Sequence, residues 1–254
     1  MWGSGVMVVP VITPDVDSVR GYLPGPTGSW YSMSNAHQYG SVQPTGFSTF
    51  SAPRDTPLPC FIRAGSIIPK QRPDITTTAT RMHEFQLLIA LTQDSMPKAQ
   101  GELYWDDGEI FVDDITSYKD YIYLEYSMLV ETKNMAMLMI NCSFGCGSKP
   151  SFSIPTLDKI EVFGHAFEPD LTSLKLNDKQ LKVDASKCSY DKDKQILLID
   201  TPQLIDFSKD APVWHISWSE KRNIENNGNS IGIARHSDML ILLVSFVFIC
   251  HFYV

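Results

Sequence analysis

The chain has 254 residues and a formal net charge of −8. This length permits one large domain or two modest ones with an ample core. The acidic balance argues against a nucleic-acid partner, because phosphates require basic patches. The 16 prolines and 15 glycines are spread along the chain, which is typical of short strands joined by many turns.

Two short apolar segments open the chain. Residues 6–12 form a β-branched run closed by Pro14, which predicts a buried strand. Residues 19–23 form a second run stopped by Pro24, which predicts a second strand. Trp30 follows, and it is a candidate to stack on a sugar ring, with a core position as the favoured alternative. Residues 32–57 are rich in Ser, Gly and Pro and predict a long irregular connection.

Residues 58–69 contain two apolar runs on either side of Ala64-Gly65, where a turn or bulge needs a small residue. Arg63 is expected to pair with a carboxylate that fixes this turn, and a substrate contact is the alternative. Residues 84–92 predict a further buried strand. Residues 93–100 are polar, contain Pro97 and form the candidate domain boundary.

Residues 101–109 combine a strand pattern with an acidic turn. Polar and apolar residues alternate from Glu102 to Trp105, and Asp107-Gly108 then predicts a two-residue hairpin turn. Asp106, Asp107 and Glu109 are alternatively a catalytic or metal-binding cluster. The ligand offsets of a calcium loop are absent, so the turn is favoured. Trp105, like Trp30, is a candidate sugar contact.

Six further segments predict strands, at residues 121–128, 136–142, 159–163, 174–183, 195–200 and 213–218. In residues 174–183, Asn177-Asp178 predicts a hairpin between two short strands. The predicted strands recur without helical periodicity, which favours an antiparallel β-sandwich. The methionines of residues 136–142 are expected to fill gaps in the core.

The five cysteines lack the paired spacing of a zinc site. Cys142 and Cys146 are close enough for a small disulfide loop, but the odd count leaves the pairing open. Asn141-Cys142-Ser143 is an N-glycosylation acceptor if the chain enters the secretory route. The first residues show no signal-peptide pattern, so a secreted protein would require that Met1 is not the true start.

The last segment differs in composition from the rest. Residues 223–238 form a polar linker, and residues 239–254 are almost wholly apolar but shorter than the about 20 residues of a spanning helix. A small-residue site, a spacer and an apolar end are typical of a GPI-attachment signal, with a tail anchor as the alternative. We expect a membrane-attached protein at the cell surface, or alternatively a lysosomal or secreted one. The candidate attachment residues are Asn227, Gly228, Asn229 and Ser230.

Three blocks of this sequence resemble family 31 glycoside hydrolases, in the lysosomal α-glucosidase and sucrase-isomaltase branch. Residues 1–11 are similar to its FLWGxxLLIxPVL segment, residues 58–69 to IPLxIRAGxIIP and residues 103–109 to FWDDGES. A weaker block around Trp30 resembles YLPxGxWYD, from which Ser32 departs. The blocks occur in the family's order, and the resemblance extends over roughly residues 1–220.

The resemblance implies an all-β fold with two antiparallel β-sandwich domains that follow the last strand of a (β/α)8 barrel. Residues 1–12 would be the remnant of the barrel exit, residues 13–98 the proximal sandwich and residues 99–222 the distal sandwich. The parent would hydrolyse terminal α-linked glucose from oligosaccharides. The implied partners are the catalytic barrel, the oligosaccharide bound by the parent and a membrane reached through the tail.

The chemistry of hydrolysis is expected to lie outside this chain. A retaining glycosidase needs two carboxyl groups about 5–5.5 Å apart, and the family's WxDMNE-type nucleophile motif is not found here. Asp106 and Asp107 are neighbours on a strand and point to opposite faces. We predict no catalytic residue, cofactor or metal ligand, and no activity for the chain alone. The alternatives are a stand-alone carbohydrate-binding module and a degenerate surface protein.

Overall fold

The computed structural model describes residues 1–111, 118–131, 135–146, 151–209 and 212–221. Up to the short helix α1 (Thr77–Arg81), the strands are β1 (Val6–Val8), β2 (Ser18–Leu23), β3 (Trp30–Ser32), β4 (Gly46–Ser51), β5 (Cys60–Arg63) and β6 (Ser66–Gln71). After α1 come β7 (Phe85–Ala90), β8 (Lys98–Trp105), β9 (Ile122–Glu131), β10 (Met135–Phe144), β11 (Leu157–Phe163), β12 (Lys175–Leu176), β13 (Lys179–Gln180), β14 (Ser189–Asp191), β15 (Ile196–Ile205) and β16 (Val213–Ser219). Single 3-10 turns lie at Asn35–His37 and Leu171–Ser173. The predicted all-β class is confirmed.

One large sheet contains strands from both halves of the chain. Its order is β13-β12-β16-β10-β9-β8-β6-β7-β11-β15-β14. β7 pairs with β6 in antiparallel fashion and with β11 in parallel fashion, so strands predicted for the proximal and distal sandwiches share this sheet. Residues 98 and 99, the predicted boundary, are both in β8. The contacts group residues 1–222 into one compact unit, and the division into two sandwiches stays a prediction.

The main core lies on the inward face of this sheet. Along β9 the buried side chains alternate with more exposed ones, as expected for a half-buried strand. β10 shows the same alternation: Ala136, Leu138 and Ile140 are fully buried, whereas Met137 and Met139 are half-buried on the opposite face. The prediction that these methionines fill the core was therefore wrong. Each large apolar side chain buried in this way contributes about 1.5–3 kcal/mol.

A second core forms around Trp30, between the three-stranded sheet β1-β5-β3 and the two-stranded antiparallel sheet β2-β4. The Trp30 indole is fully buried with Leu23, Phe50 and Phe61. Its Nε1 donates a hydrogen bond to the Pro24 carbonyl oxygen at 2.7 Å. The core position that the sequence favoured for Trp30 is the one observed.

Strand β3 and the irregular segment after it are attached to the large sheet by polar contacts. The hydroxyl of Tyr31, in β3, donates to the carbonyl oxygen of Leu91, just after β7, at 2.8 Å. The Tyr39 hydroxyl donates to Glu161 Oε2 at 2.7 Å, and Lys70 Nζ lies 3.4 Å from the same oxygen. Burial, followed by the hydrogen bond to Glu161, raises the pKa of Tyr39 above its ordinary range, so Tyr39 acts as a neutral donor. This long connection is therefore anchored by specific contacts.

His165 is the fully buried ionisable side chain at the end of β11. Because Trp218 Nε1 can only donate, His165 Nε2 accepts from it at 3.0 Å, and the proton on Nδ1 is donated to the Phe167 carbonyl oxygen at 2.7 Å. Both ring nitrogens are thus satisfied in the neutral form. Desolvation lowers the pKa of His165 from 6.5 to about 4.

Gly101 marks the closest approach of β8 to β6. A Cβ atom at this position would lie 2.1 Å from the Ile67 carbonyl oxygen, which belongs to the backbone and cannot rotate away. We expect Gly101→Ala to lower the free energy of unfolding by about 2–3 kcal/mol. Urea denaturation of the variant checks this. Gln100→Ala, at the exposed neighbour, should stay within about 0.5 kcal/mol of the parent. Equal stability of both variants would contradict the close approach.

The buried His165 also predicts a pH dependence. Between its folded pKa of about 4 and its ordinary value of 6.5, the unfolded chain binds the proton and the folded chain does not. Stability is therefore fully present above pH 6.5 and is lost as the pH falls, by about 2 kcal/mol between pH 7 and pH 5. Urea titrations at the two pH values measure this difference. His165→Phe should flatten the slope, whatever its absolute stability, and a wild-type stability that is equal at both pH values would refute the assignment.

Candidate functional surfaces

Several exposed apolar side chains lie near the N-terminus. Trp2 is 75% exposed and Ile12 is 87% exposed. Two shallow depressions lie at or next to Ile12, and both are lined by Val11, Thr13 and Val16. The two depressions therefore form one continuous region. Together with the exposed residues at the start of the chain we call it the N-terminal surface: residues 1–2, 9–20 and 52–58. Exposed large apolar side chains of this kind are typical of a contact surface.

An aromatic pair lies on the outward face of the adjoining strands β2 and β4. Tyr22 and Phe47 are opposite each other in the register, and their ring centroids are 4.9 Å apart. The Arg20 guanidinium carbon is 4.4 Å from the Phe47 centroid. Along the same strands, Val19 and Phe50 point inward to the Trp30 core. The alternation predicts which side chains face outward, but the pairing of Tyr22 with Phe47 depends on the register.

The acidic residues after β8 build a turn. Asp106 Oδ1 accepts from the Gly108 N–H at 2.9 Å, and Asp107 Oδ1 accepts from the N–H groups of Glu109 and Ile110 at 3.0 and 3.1 Å. These backbone donors lower the pKa of Asp107. Within the described ranges, no group of three or more His, Cys, Asp and Glu side chains is suited to a metal ion. The favoured interpretation as a turn agrees with this geometry.

The predicted two-residue hairpin at this turn was wrong. β8 does pair with β9, but β9 begins only at Ile122, so the connection runs over residues 106–121. Arg81 explains the local geometry instead. Its guanidinium carbon lies 3.8 Å from the Trp105 ring centroid, and its Nη2 donates to the Asp106 carbonyl oxygen. Helix α1 thus contacts the end of β8, where Trp105 also pairs with Ile122 of β9.

The two tryptophans proposed as sugar contacts are both buried. Trp30 is 0% exposed and Trp105 is 7% exposed. Arg63 lies over Trp30, 5.1 Å from the ring centroid, and Arg81 covers Trp105. The sugar-stacking prediction therefore finds no support in the exposure of either ring. Among the described residues Arg63 has no carboxylate partner, so its expected ion pair is replaced by this cation–π contact.

Asn141 lies near the end of β10. Its Nδ2 donates to Glu125 Oε2 at 3.1 Å and to Ser143 Oγ at 3.2 Å. Cys142 and Cys146 form a disulfide, with their Cα atoms 6.0 Å apart. The pairing left open by the cysteine count is therefore present, and Asn141 is immediately beside it.

The C-terminal predictions fall outside the described residues. These are the linker, the apolar segment 239–254 and the attachment candidates Asn227, Gly228, Asn229 and Ser230. Among the helices that the structure does describe, none has the length and apolar character needed to cross a membrane. The expected cell-surface location stays a prediction.

Two polar networks were not identified from the sequence. The contact between His165 and Trp218 joins residues 53 positions apart, and the contact between Tyr39 and Glu161 joins residues 122 positions apart. No local motif surrounds either pair. The only sequence feature that pointed toward either contact was the apolar strand pattern around Glu161 and around Trp218.

Residues 1–68 match the family model described as the glycosyl hydrolase family 31 C-terminal domain. The chain is 38% identical over 122 residues to a lysosomal alpha-glucosidase of Bos taurus, which covers 43% of this chain and 12% of the relative. It is 30% identical over 203 residues to the intestinal sucrase-isomaltase of Rattus norvegicus, which covers 78% of this chain and 10% of the relative. The chain thus spans about a tenth of the length of these curated relatives.

Solved structures share the fold. A Flavobacterium johnsoniae family 31 dextranase superposes with a TM-score of 0.62 at 15% identity, over 86% of this chain and 26% of that chain. A glucosidase II alpha subunit superposes with a TM-score of 0.57 at 16% identity, over 85% of this chain and 22% of that chain. The family model, the sequence relatives and the shared fold agree: this chain corresponds to the C-terminal portion of family 31 glycoside hydrolases.

Proposed function

We propose that this chain is the non-catalytic C-terminal part of an α-glucosidase, and that it supports the catalytic barrel of the complete protein. That protein would hydrolyse terminal α-linked glucose from oligosaccharides. Two similar proteins are named lysosomal alpha-glucosidase and sucrase-isomaltase. The observation that carries the proposal is the exposed apolar N-terminal surface, which lies within the segment that matches the family model.

The energetics favour a covered N-terminal surface. Ile12 and Trp2 are exposed although water contact with large apolar side chains is unfavourable. Burying one such side chain against a partner contributes about 1.5–3 kcal/mol. Arg20 and the exposed pair of Arg54 with Asp15 also line the two depressions, and protein interfaces combine such polar groups with apolar ones. A barrel packed on the N-terminal surface would therefore gain stability from the contact.

The catalytic carboxylates are proposed to lie in the barrel. Asp106 and Asp107, the acidic residues of the family-like turn, already accept backbone hydrogen bonds within that turn. A general acid needs a raised pKa, whereas the pKa of Asp107 is lowered. These side chains are therefore suited to structure rather than to proton transfer. The chain alone is expected to release no glucose from maltose.

A carbohydrate-binding module is the second candidate. Tyr104 favours it, because this ring is 38% exposed and stacks on Tyr121 with ring centroids 4.9 Å apart. Flat exposed rings can pack against the C–H faces of a sugar. We would test this candidate by adding soluble maltooligosaccharide and measuring tyrosine fluorescence. Quenching in the unsubstituted chain, but not in Tyr104→Ala, would favour a carbohydrate-binding module over support of a barrel.

The size of the native polypeptide tests the first proposal directly. An antibody raised to residues 151–209 should detect a band far above 28.6 kDa, because the barrel would precede this chain in the complete protein. Denaturing electrophoresis of the source tissue provides the measurement. A native band near 28.6 kDa would remove the proposed connection to a barrel.

Two matched substitutions test the N-terminal surface. Ile12 is 87% exposed and Ile75 is 97% exposed, so Ile12→Ser and Ile75→Ser should each change the stability of the isolated chain by less than about 0.5 kcal/mol. In the complete protein, Ile12→Ser should lower the unfolding free energy by about 1–3 kcal/mol, since it removes a buried contact. Ile75→Ser should not. Thermal denaturation of both forms measures this, and identical behaviour of the two variants in the complete protein would count against the interface.

A further inference from the structure

The side chain of Asn141 lies on the solvent-facing side of the large sheet. Along β10, Ala136, Leu138 and Ile140 point into the core with no exposed surface. Asn141 continues the opposite face of the strand, and Ser143 is exposed. Asn141-Cys142-Ser143 is also the one Asn-x-Ser/Thr triplet in the sequence. The acceptor asparagine and the hydroxyl residue of the triplet therefore share an accessible face.

The polar surroundings of Asn141 tolerate a substituent on Nδ2. This nitrogen has two hydrogens, which are donated to Glu125 Oε2 and to Ser143 Oγ. Ser143 also donates to Glu125, so these three side chains form one exposed network. A sugar on Nδ2 would replace one hydrogen and leave the other for Glu125. No buried side chain has to move, because the network lies outside the core.

The disulfide supplies an independent indication of compartment. Cys142, the middle residue of the triplet, is bonded to Cys146. Disulfides persist in oxidising compartments such as the secretory pathway and are rare in the cytosol. N-linked glycans are attached to secreted proteins at the same type of triplet. The two features depend on different chemistry and indicate the same route through the cell.

We infer that Asn141 carries an N-linked glycan, and that the outer face of β9 and β10 around it is open to solvent in the complete protein. In the attachment step, Nδ2 forms a bond to the anomeric carbon of the first sugar. The bond from that carbon to a diphosphate breaks, the diphosphate leaves with the electron pair and Nδ2 releases one proton. The donor is thus an oligosaccharide linked to a lipid diphosphate, supplied by the secretory compartment.

The glycan also restricts where a partner can bind. A hydrated oligosaccharide at Asn141 would prevent a protein from packing closely on this part of β9 and β10. If a barrel covers the N-terminal surface, as proposed above, the Asn141 face is a separate one that stays exposed. This last consequence rests on the proposed function, whereas the modification itself does not.

Mass spectrometry of the native protein tests the modification. Peptide-N-glycosidase converts a glycosylated asparagine to aspartate, so the Asn141 peptide should appear as aspartate only after treatment. Recovery of this peptide from the untreated native protein mainly as unmodified asparagine would overturn the inference. The antibody band measures the proposed function separately. A native band near 28.6 kDa that carries the glycan would refute the barrel connection and leave the glycan established.

A matched pair of variants distinguishes the triplet from the fold. The chain is expressed behind a secretory signal peptide in a eukaryotic cell, and glycosidase sensitivity is read as a change in electrophoretic mobility. Ser143→Thr keeps the acceptor triplet and should keep the glycosidase-sensitive shift, whereas Ser143→Ala should lose it. Both variants change the same exposed hydroxyl position, so a general folding defect would affect them together. A shift that persists in Ser143→Ala, or that is missing from the parent chain, would overturn the assignment to Asn141.

Discussion

The double burial of β7 is the constraint on which the rest of the structure depends. Leu87 and Ile89 belong to the main core, whereas Leu88 and Ala90 face the cluster that contains Tyr31. A strand buried on both faces must be apolar at nearly every position. β7 meets this condition, and its neighbours β6 and β11 pair with it along its full length. The segments before and after residue 98 are therefore joined through one continuous apolar layer.

The exposed apolar residues make sense in relation to that layer. The Trp30 core is packed on its inner side, yet the N-terminal surface beyond it leaves Ile12 and Trp2 in contact with water. On the outer face of the main sheet, Asn141 lies in a polar network with Glu125 and Ser143, although Met137 and Met139 share that face of β10. The first region thus exposes large apolar side chains, whereas the immediate contacts of Asn141 are polar. This contrast is the physical basis for proposing a barrel partner for the first region and a glycan for the second.

Perturbed ionisable groups in this chain are suited to structural roles. Strong pKa shifts often mark active sites, but His165 is fully buried and both of its nitrogens are hydrogen-bonded. The lowered pKa of Asp107 arises from turn N–H groups, and the raised pKa of Tyr39 arises from burial and Glu161. Each shift accompanies a contact that fixes a loop or a strand end. The proposal of an accessory, non-catalytic part is consistent with these assignments.

The sequence by itself determined the local pattern: the alternation in β9, the continuous apolar run of β7 and the core position favoured for Trp30. The two strand patterns follow from side-chain periodicity, which depends only on neighbouring residues, and the position of Trp30 follows from the general burial of large aromatic side chains. Asp107-Gly108 correctly indicated a turn, but the strand that pairs with β8 begins at Ile122, because turn chemistry does not specify how far the chain travels before it pairs. Likewise, the sequence predicted a carboxylate partner for Arg63, but in the structure its guanidinium group lies over the Trp30 ring. The contact of His165 with Trp218 and the solvent-facing network around Asn141 were decided by tertiary structure, since each depends on which distant strands pair and in which register.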